Sequence, residues 1–211
     1  MIIAIASFKG GVGKTTTAIH LAAYFQAHGN TLLIDADPNR SASDWAARGA
    51  LPFQVADPQQ QATGSYDHIV IDTQARPVLE ELAVLADSCE LLILPTTPDL
   101  LSLDALALTI EYLQSIDAHR YRVLLTVVPP KPSKDGEQAQ QMLVQANLPV
   151  FATRIRRYAA YRKAANEGKL VTNVRDPRSQ LAWGDYQQVG DELWLKQSPP
   201  GTEDLDAQQT D

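Results

Sequence analysis

Eight consecutive residues, Lys9-Gly10-Gly11-Val12-Gly13-Lys14-Thr15-Thr16, carry the densest chemistry in this 211-residue chain. Three glycines leave the backbone free to adopt conformations that a Cβ would block, so several N–H groups can turn inward around one anion. A helix predicted to begin near Thr15 adds partial positive charge at the same place. Lys14 has the reach and the charge for the β- and γ-phosphates of a nucleoside triphosphate. Thr15 has the hydroxyl for Mg²⁺. The bland alternative is a glycine-rich turn. The apolar run Ile2–Ala6 just before the loop and the register of Gly-Lys-Thr weigh against it.

Three acids are placed to complete such a site. Asp72 ends the apolar run His68-Ile69-Val70-Ile71, where a carboxylate can hold Mg²⁺ through a water, since Mg²⁺ keeps much of its hydration shell. Asp35 and Asp37 follow Leu32-Leu33-Ile34 in the string Asp-Ala-Asp-Pro. Each has a second reading, as an acceptor capping the helix that starts near Ser41.

The elements that must position these groups alternate. Strands are predicted at Ile2–Ser7, Leu32–Ile34, Phe53–Ala56, His68–Ile71, Leu91–Leu94 (stopped by Pro95), Arg122–Val128 and around Val150. Helices are predicted at Thr15–His28, Ser41–Arg48, Pro77–Asp87, Leu101–Ser115, Glu137–Ala146, Arg157–Glu167 and Ser179–Leu195. Buried strands alternating with helices predict an α/β fold with a mostly parallel sheet covered by helices on both faces. Ligands of such sheets sit at the carboxyl ends of strands. The glycine loop, Asp35, Asp37 and Asp72 all fall there. One domain over residues 1–196 is expected, followed by a disordered acidic tail over 197–211 with almost no apolar content.

Bulk properties narrow the classes. The single cysteine, Cys89, excludes an internal disulfide and reads as a small buried hydrophobe in a reducing compartment. No apolar run has transmembrane length and none reads as a signal peptide, so a cytoplasmic protein is expected. The net charge of −7 does not by itself suggest nucleic acid. Its distribution is uneven. Residues 151–179 hold Arg154, Arg156, Arg157, Arg162, Lys163, Lys169, Arg175 and Arg178 against Glu167 and Asp176, a net of +6, which leaves −13 for the rest. A basic stretch on an acidic body argues for a partner-specific face. The competing reading is a solvated helical surface.

The phosphate loop departs from the ordinary pattern. Phe8 stands where a standard loop has its first glycine, and Lys9 adds a second lysine. The form Lys-Gly-Gly-x-Gly-Lys-Thr resembles the deviant Walker A box of the ParA/MinD family of P-loop NTPases. The resemblance continues through Arg154–Arg157, Ala164–Gly168, Asp176–Ser179 and Trp183-x-x-Tyr186, and fits the short ParA forms, ParF-like or McdA-like. It implies that Lys9 acts in trans on the nucleotide of a second subunit and Lys14 in cis. It implies that Asp37 positions or activates the attacking water and that Asp35 supports Mg²⁺. It implies ATP and Mg²⁺ as cofactors, with adenine beside Pro130 and Arg175. It further implies an ATP-state homodimer, non-specific DNA binding over the nucleoid, and a ParB-like or McdB-like cargo adaptor that stimulates slow hydrolysis. DNA contacts are expected from Arg154, Arg156, Arg162, Lys163, Lys169 and Arg178. The chain departs from the family at Asn39, commonly Gln, and at Gln74-Ala75-Arg76, commonly Pro-Pro after Thr.

Other classes fit less well. A MinD-like membrane-associated regulator of division would carry a basic amphipathic C-terminal helix, and the terminus here is acidic and contains proline. An electron-transferring iron protein of this fold needs more cysteines than Cys89. A tyrosine-kinase relative would carry a tyrosine-rich tail.

Overall fold

The computed structural model describes residues 1–59 and 64–194. Its strands are β1 (Ile2–Ser7), β2 (Thr31–Ala36), β3 (Gln54–Ala56), β4 (His68–Ala75), β5 (Leu91–Thr96) and β6 (Tyr121–Leu125). They form one sheet in the order β3-β2-β4-β1-β5-β6, and every paired neighbour is parallel. The helices are α1 (Lys14–Gln26), α2 (Ser41–Ala47), α3 (Leu79–Ser88), α4 (Leu100–Ser115), α5 (Asp135–Gln145), α6 (Ala159–Glu167) and α7 (Ser179–Trp194), with a 3₁₀ turn at Val171–Asn173. The expected α/β sheet with helices on both faces is what the chain forms. The acidic tail expected over 197–211 lies outside the described residues.

Strand alternation sorts the core into two layers. Ile3, Ile5, Leu33, Val70 and Ile93 face α1, α2, α6 and α7. Ala4, Ala6, Leu92, Leu94, Val123 and Leu125 face α3, α4 and α5. The strand order accounts for the split, since crossovers between parallel strands keep one hand: β1-α1-β2-α2-β3 steps one way along the sheet, and β4-α3-β5-α4-β6 steps the other. The layers also differ in charge. Residues 77–118, which include α3 and α4, contain acids and no Lys, Arg or His, whereas the basic window lies on α6 and the approach to α7.

Several boundaries moved, each for a local reason. β5 runs through Pro95 to Thr96 rather than stopping before it. The Leu92 N–H points to Arg120 on the β6 side, so by alternation Pro95 faces β1, and β1 pairs with β5 only over Leu91–Ile93. The missing N–H at Pro95 therefore breaks no ladder. β6 ends at Leu125, and Val127 takes a positive φ of 51°. The strand expected around Val150 is a single bridge to Val123. Cys89 is buried, as expected. Gly190 was silent in the sequence: a Cβ there would lie 2.5 Å from the Tyr24 ring, so glycine lets α7 close on α1.

Candidate active site

β1 leaves the sheet through an irregularity between Ile5 and Ser7 and enters the glycine loop. Gly11 and Gly13 sit at φ 78° and 82°, in the left-handed region that favours glycine, and Gly13 is the N-cap of α1. Thr126, just past the end of β6, donates its hydroxyl to the Val12 carbonyl at 2.7 Å and its backbone N–H to the Thr96 carbonyl at 2.8 Å. This ties the loop to two strand ends. Sequence reasoning passed over Thr126, because nothing local marks a loop tether more than a hundred residues away.

Lys14 opens α1 and is buried. Burial pulls its ammonium below its ordinary range, while the negative charges of Asp72 and Asp37 oppose that shift. Asp72 lies in register with Ile5 of β1 and with Asp35 of β2. It is fully buried, and neither of its oxygens reaches a partner at hydrogen-bonding geometry. Burial pushes its carboxyl up to about 7, against the opposing pull of the nearby Thr15 hydroxyl and Lys14. An orphaned buried carboxylate beside a hydroxyl is a poor resting arrangement for a protein alone. It is a good one for a hard divalent cation with oxygen ligands, so Thr15 and Asp72 fit Mg²⁺.

Asp35 and Asp37 divide their roles. Asp35 Oδ2 accepts the Ser43 N–H at 2.7 Å, and Oδ1 accepts the Asp37 N–H at 3.3 Å. Both oxygens therefore serve the backbone of the loop and the first turn of α2. This favours the capping reading over a metal-shell role for Asp35. Asp37 Oδ1 accepts both the backbone and side-chain N–H groups of Asn39, each at 2.9 Å. Oδ2 remains for a water. Asn39 thus does positional work for Asp37.

A cavity of about 260 Å³ opens beside the loop, lined in part by Gly13, Thr16, Val127, Arg157, Tyr158 and Arg162. It has the aromatic and apolar walls a purine requires. Pro130 is not among its residues. It lines a second depression with Lys131, Arg154 and Arg156. Arg175 lines neither. The two expected adenine neighbours are thus not in the wall of this cavity, whereas Arg162, expected at DNA, is.

Lys9 lies on the rim. Its Nζ donates to Asp99 Oδ1 at 2.9 Å and to Ser102 Oγ at 2.7 Å, at the start of α4. Gln74 donates to Glu81, and Arg76 adopts a positive φ of 58°.

The basic set is partly spoken for. Arg156 makes a two-pronged ion pair with the buried Asp185. Lys163 pairs with Asp176 and Lys169 with Glu167, each at 2.9 Å. Arg154, Arg162 and Arg178 make no ion pair among the described residues.

A model of the CobQ/CobB/MinD/ParA nucleotide binding domain matches residues 3–171. A curated relative, Maintenance of carboxysome distribution protein A of Gloeobacter kilaueensis, is 37% identical over 207 residues, covering 92% of this chain and 96% of its own. Among solved structures, a putative plasmid partition protein of Borrelia burgdorferi bound to AMPPNP superposes with a TM-score of 0.73 at 18% identity, covering 93% of this chain and 99% of the other. Apo McdA of Cyanothece does so with 0.68 at 18%, covering 89% and 98%. Both solved structures share the fold. ATP with Mg²⁺ is the cofactor pair of this group. By the extent of the domain match and the near full-length identity, the chain belongs to the CobQ/CobB/MinD/ParA nucleotide-binding family and is homologous to the carboxysome-distribution and ParA partition ATPases.

Proposed function

We propose that this protein is a Mg²⁺-dependent ATPase that dimerises on ATP, rides on non-specific DNA and distributes a cargo, with a carboxysome favoured over a plasmid or a chromosome. The observation that carries the reading is the pairing of two lysines on one glycine loop. Lys14 is buried against Asp37 and Asp72, while Lys9 stands on the rim, outside the phosphate cradle. A single-subunit phosphate site has no use for the second lysine. The cargo assignment rests on the near full-length match to a carboxysome-distribution protein. A MinD-like membrane role is not favoured, and no helix among the described residues is long and apolar enough to cross a membrane.

The residues divide the chemistry as follows. Backbone N–H groups of Gly10–Thr16 and the Lys14 ammonium bind the phosphate oxygens and stabilise charge as it shifts during transfer to water. Thr15 and Asp72 hold Mg²⁺, which neutralises phosphate charge when bound. Asp37, steadied by Asn39, orients the attacking water through Oδ2 and accepts its proton. The purine occupies the cavity walled by Val127, Tyr158 and Arg162. Lys9 of each subunit completes the other's phosphate site. The subunits then present the basic residues of α6 and of the segment leading into α7 together to DNA, from which an adaptor releases the protein by stimulating hydrolysis.

Light scattering with Mg²⁺ and a slowly hydrolysed ATP analogue tests this reading. Wild-type protein should dimerise, and Lys14→Ala should neither bind nucleotide tightly nor dimerise. A wild-type protein that stays monomeric at saturating analogue refutes it.

A further inference from the structure

Lys9 is the residue whose placement the proposed chemistry does not use. An ammonium has three donors and no acceptor. Two of the three are spent within its own subunit, on Asp99 Oδ1 at 2.9 Å and Ser102 Oγ at 2.7 Å. These partners are fixed without Lys9. Asp99 is the N-cap of α4 and accepts the Ser102 N–H. Thr97 donates to Asp99, and its hydroxyl lies 2.5 Å from Ser102 Oγ. Ser102 Oγ also reaches Asp99 Oδ2 at 2.8 Å. The lysine end is anchored too, since Ser7 Oγ accepts the Lys9 N–H at 3.1 Å and donates to the Lys9 carbonyl at 3.2 Å. Two rigid elements, the phosphate loop and the first turn of α4, are thus joined by one swinging side chain.

We propose that Asp99 and Ser102 hold Lys9 in cis and thereby set the threshold for ATP-driven dimerisation. The inference rests on the trans role assigned to Lys9 above. Lys9 cannot donate to a second subunit's phosphates until it leaves Asp99 and Ser102. Its side chain and that of Asp99 are about one-third and one-half exposed. Exposed pairs of this kind are weak, and each protomer releases one lysine on closing, so the penalty enters the dimerisation constant twice. Removing the hold should raise that constant roughly 2- to 30-fold, the square of the effect of one exposed pair. A contact this weak restrains dimerisation without forbidding it.

Asp99→Asn separates the hold from the fold, because Asn caps a helix as well as Asp does while lacking the charge. Ser102→Ala removes the second acceptor and serves as an independent variant. Two measurements are made on each. In nucleotide-free monomer, the rate at which a small acylating reagent modifies Lys9, read by peptide mass mapping, should rise in both variants. With Mg²⁺ and the slowly hydrolysed analogue, the dimerisation constant from sedimentation should rise in the stated range. Unchanged Lys9 reactivity overturns the hold. Raised reactivity with an unchanged or weaker dimer overturns its role as a threshold. A wild-type protein that never dimerises removes the trans lysine itself, an outcome distinct from a wild type that dimerises as readily as its variants.

Discussion

Asp35 Oδ2 accepts the backbone N–H of Ser43 at 2.7 Å. The bond spans the loop from β2 to α2 and fastens the segment that carries Asp37. Two acids one residue apart therefore do different work. Asp35 is expected to behave as a structural acceptor. Asp35→Ala should lower stability by about 0.5–2 kcal/mol, the usual cost of losing a helix-capping acceptor. Asp35→Asn, which keeps one of the two acceptors, should recover part of it in denaturant melts. A larger loss of Mg²⁺ affinity than of stability in Asp35→Asn would return this residue to the metal shell.

Asp37→Ala should show the opposite profile. It keeps the Lys14 cradle and the Asp35 cap, so nucleotide binding and analogue-driven dimerisation should persist. Hydrolysis should fall roughly 10²- to 10⁴-fold, the range for loss of a general base. Asn39→Ala should give a smaller fall in the same direction, since Asn39 contributes two donors to Asp37 Oδ1. Phosphate release under single-turnover conditions measures both. Wild-type turnover in Asp37→Ala would assign the acid to structure.

Asp72 stores an unfavourable arrangement in the nucleotide-free fold, a buried carboxylate with both oxygens unpartnered. Replacing it by an amide removes the charge at nearly constant shape. Asp72→Asn should therefore melt higher than wild type in the presence of a chelator at pH 8. It should gain far less from added Mg²⁺ and ATP, because binding stabilises the native state by an amount set by the logarithm of ligand concentration over Kd, which shrinks as Kd rises. The melts are read with and without Mg²⁺-ATP. An equal ligand-induced shift in the two proteins would take Asp72 out of the metal site.

His20 supplies one component of the pH dependence, opposed over the same window by Asp72, whose raised carboxyl favours the folded state as pH falls. Its ring is fully buried in α1 and lies between two backbone groups of fixed polarity. The Thr16 carbonyl, 2.7 Å from Nδ1, can only accept, and the Val171 N–H, 3.2 Å from Nε2, can only donate. The neutral Nδ1–H tautomer satisfies both, and a second ring proton would meet the Val171 N–H. Burial lowers the imidazole to about 4, against the Thr16 hydrogen bond, which raises it. The folded value lies below the unfolded one, so the stability from His20 is complete above pH ~6.5 and is lost as pH falls toward 4. The full loss is about 3 kcal/mol. His20→Gln cannot titrate, so its stability should vary less across that window, whatever its absolute level. His68, also lowered by burial, and Asp72, raised and of opposite sign, set the slope that remains. An unchanged slope in His20→Gln would show that the ring is not the titrating group.

How much of this was legible depended on distance along the chain. The glycine loop was readable because its strand, glycines, lysine and threonine are contiguous, and the αL conformations of Gly11 and Gly13 follow from local sterics. Asp72 was readable because a buried apolar run that ends in an acid has few other uses, although β4 itself continues to Ala75. The role of Asp35 was not decided, since its partner Ser43 becomes its neighbour only once α2 folds back over β2. Lys9 read as a lysine free to act elsewhere, because its partners Asp99 and Ser102 are about ninety residues away. The tally of positive charge over residues 151–179 was right as arithmetic and too generous as a surface, because Asp185, outside the window, neutralises Arg156.

That pairing changes which residues can test DNA binding. Arg156→Glu would leave the buried Asp185 facing a like charge, so a weakened variant would report on folding. Arg162→Glu would disturb the cavity beside Gly13 and Thr16. Arg178 is exposed and makes no ion pair among the described residues, and Lys169 has only the exposed partner Glu167. Arg178→Glu/Lys169→Glu is therefore the clean reversal. In the wild-type ATP-state dimer, log affinity for random-sequence duplex should fall with log salt at about −0.9 per phosphate contact. The dimer carries two copies of each residue. The reversal should thus weaken binding at every sequence alike and flatten the slope by up to about 3.6 if all four side chains touch phosphate. Nucleotide affinity and dimerisation should not change, which filter binding and light scattering on one preparation can establish. If the dimer forms normally and both affinity and slope match wild type, DNA is held by another face, and the positive charge of α6 and of the segment before α7 serves solubility alone.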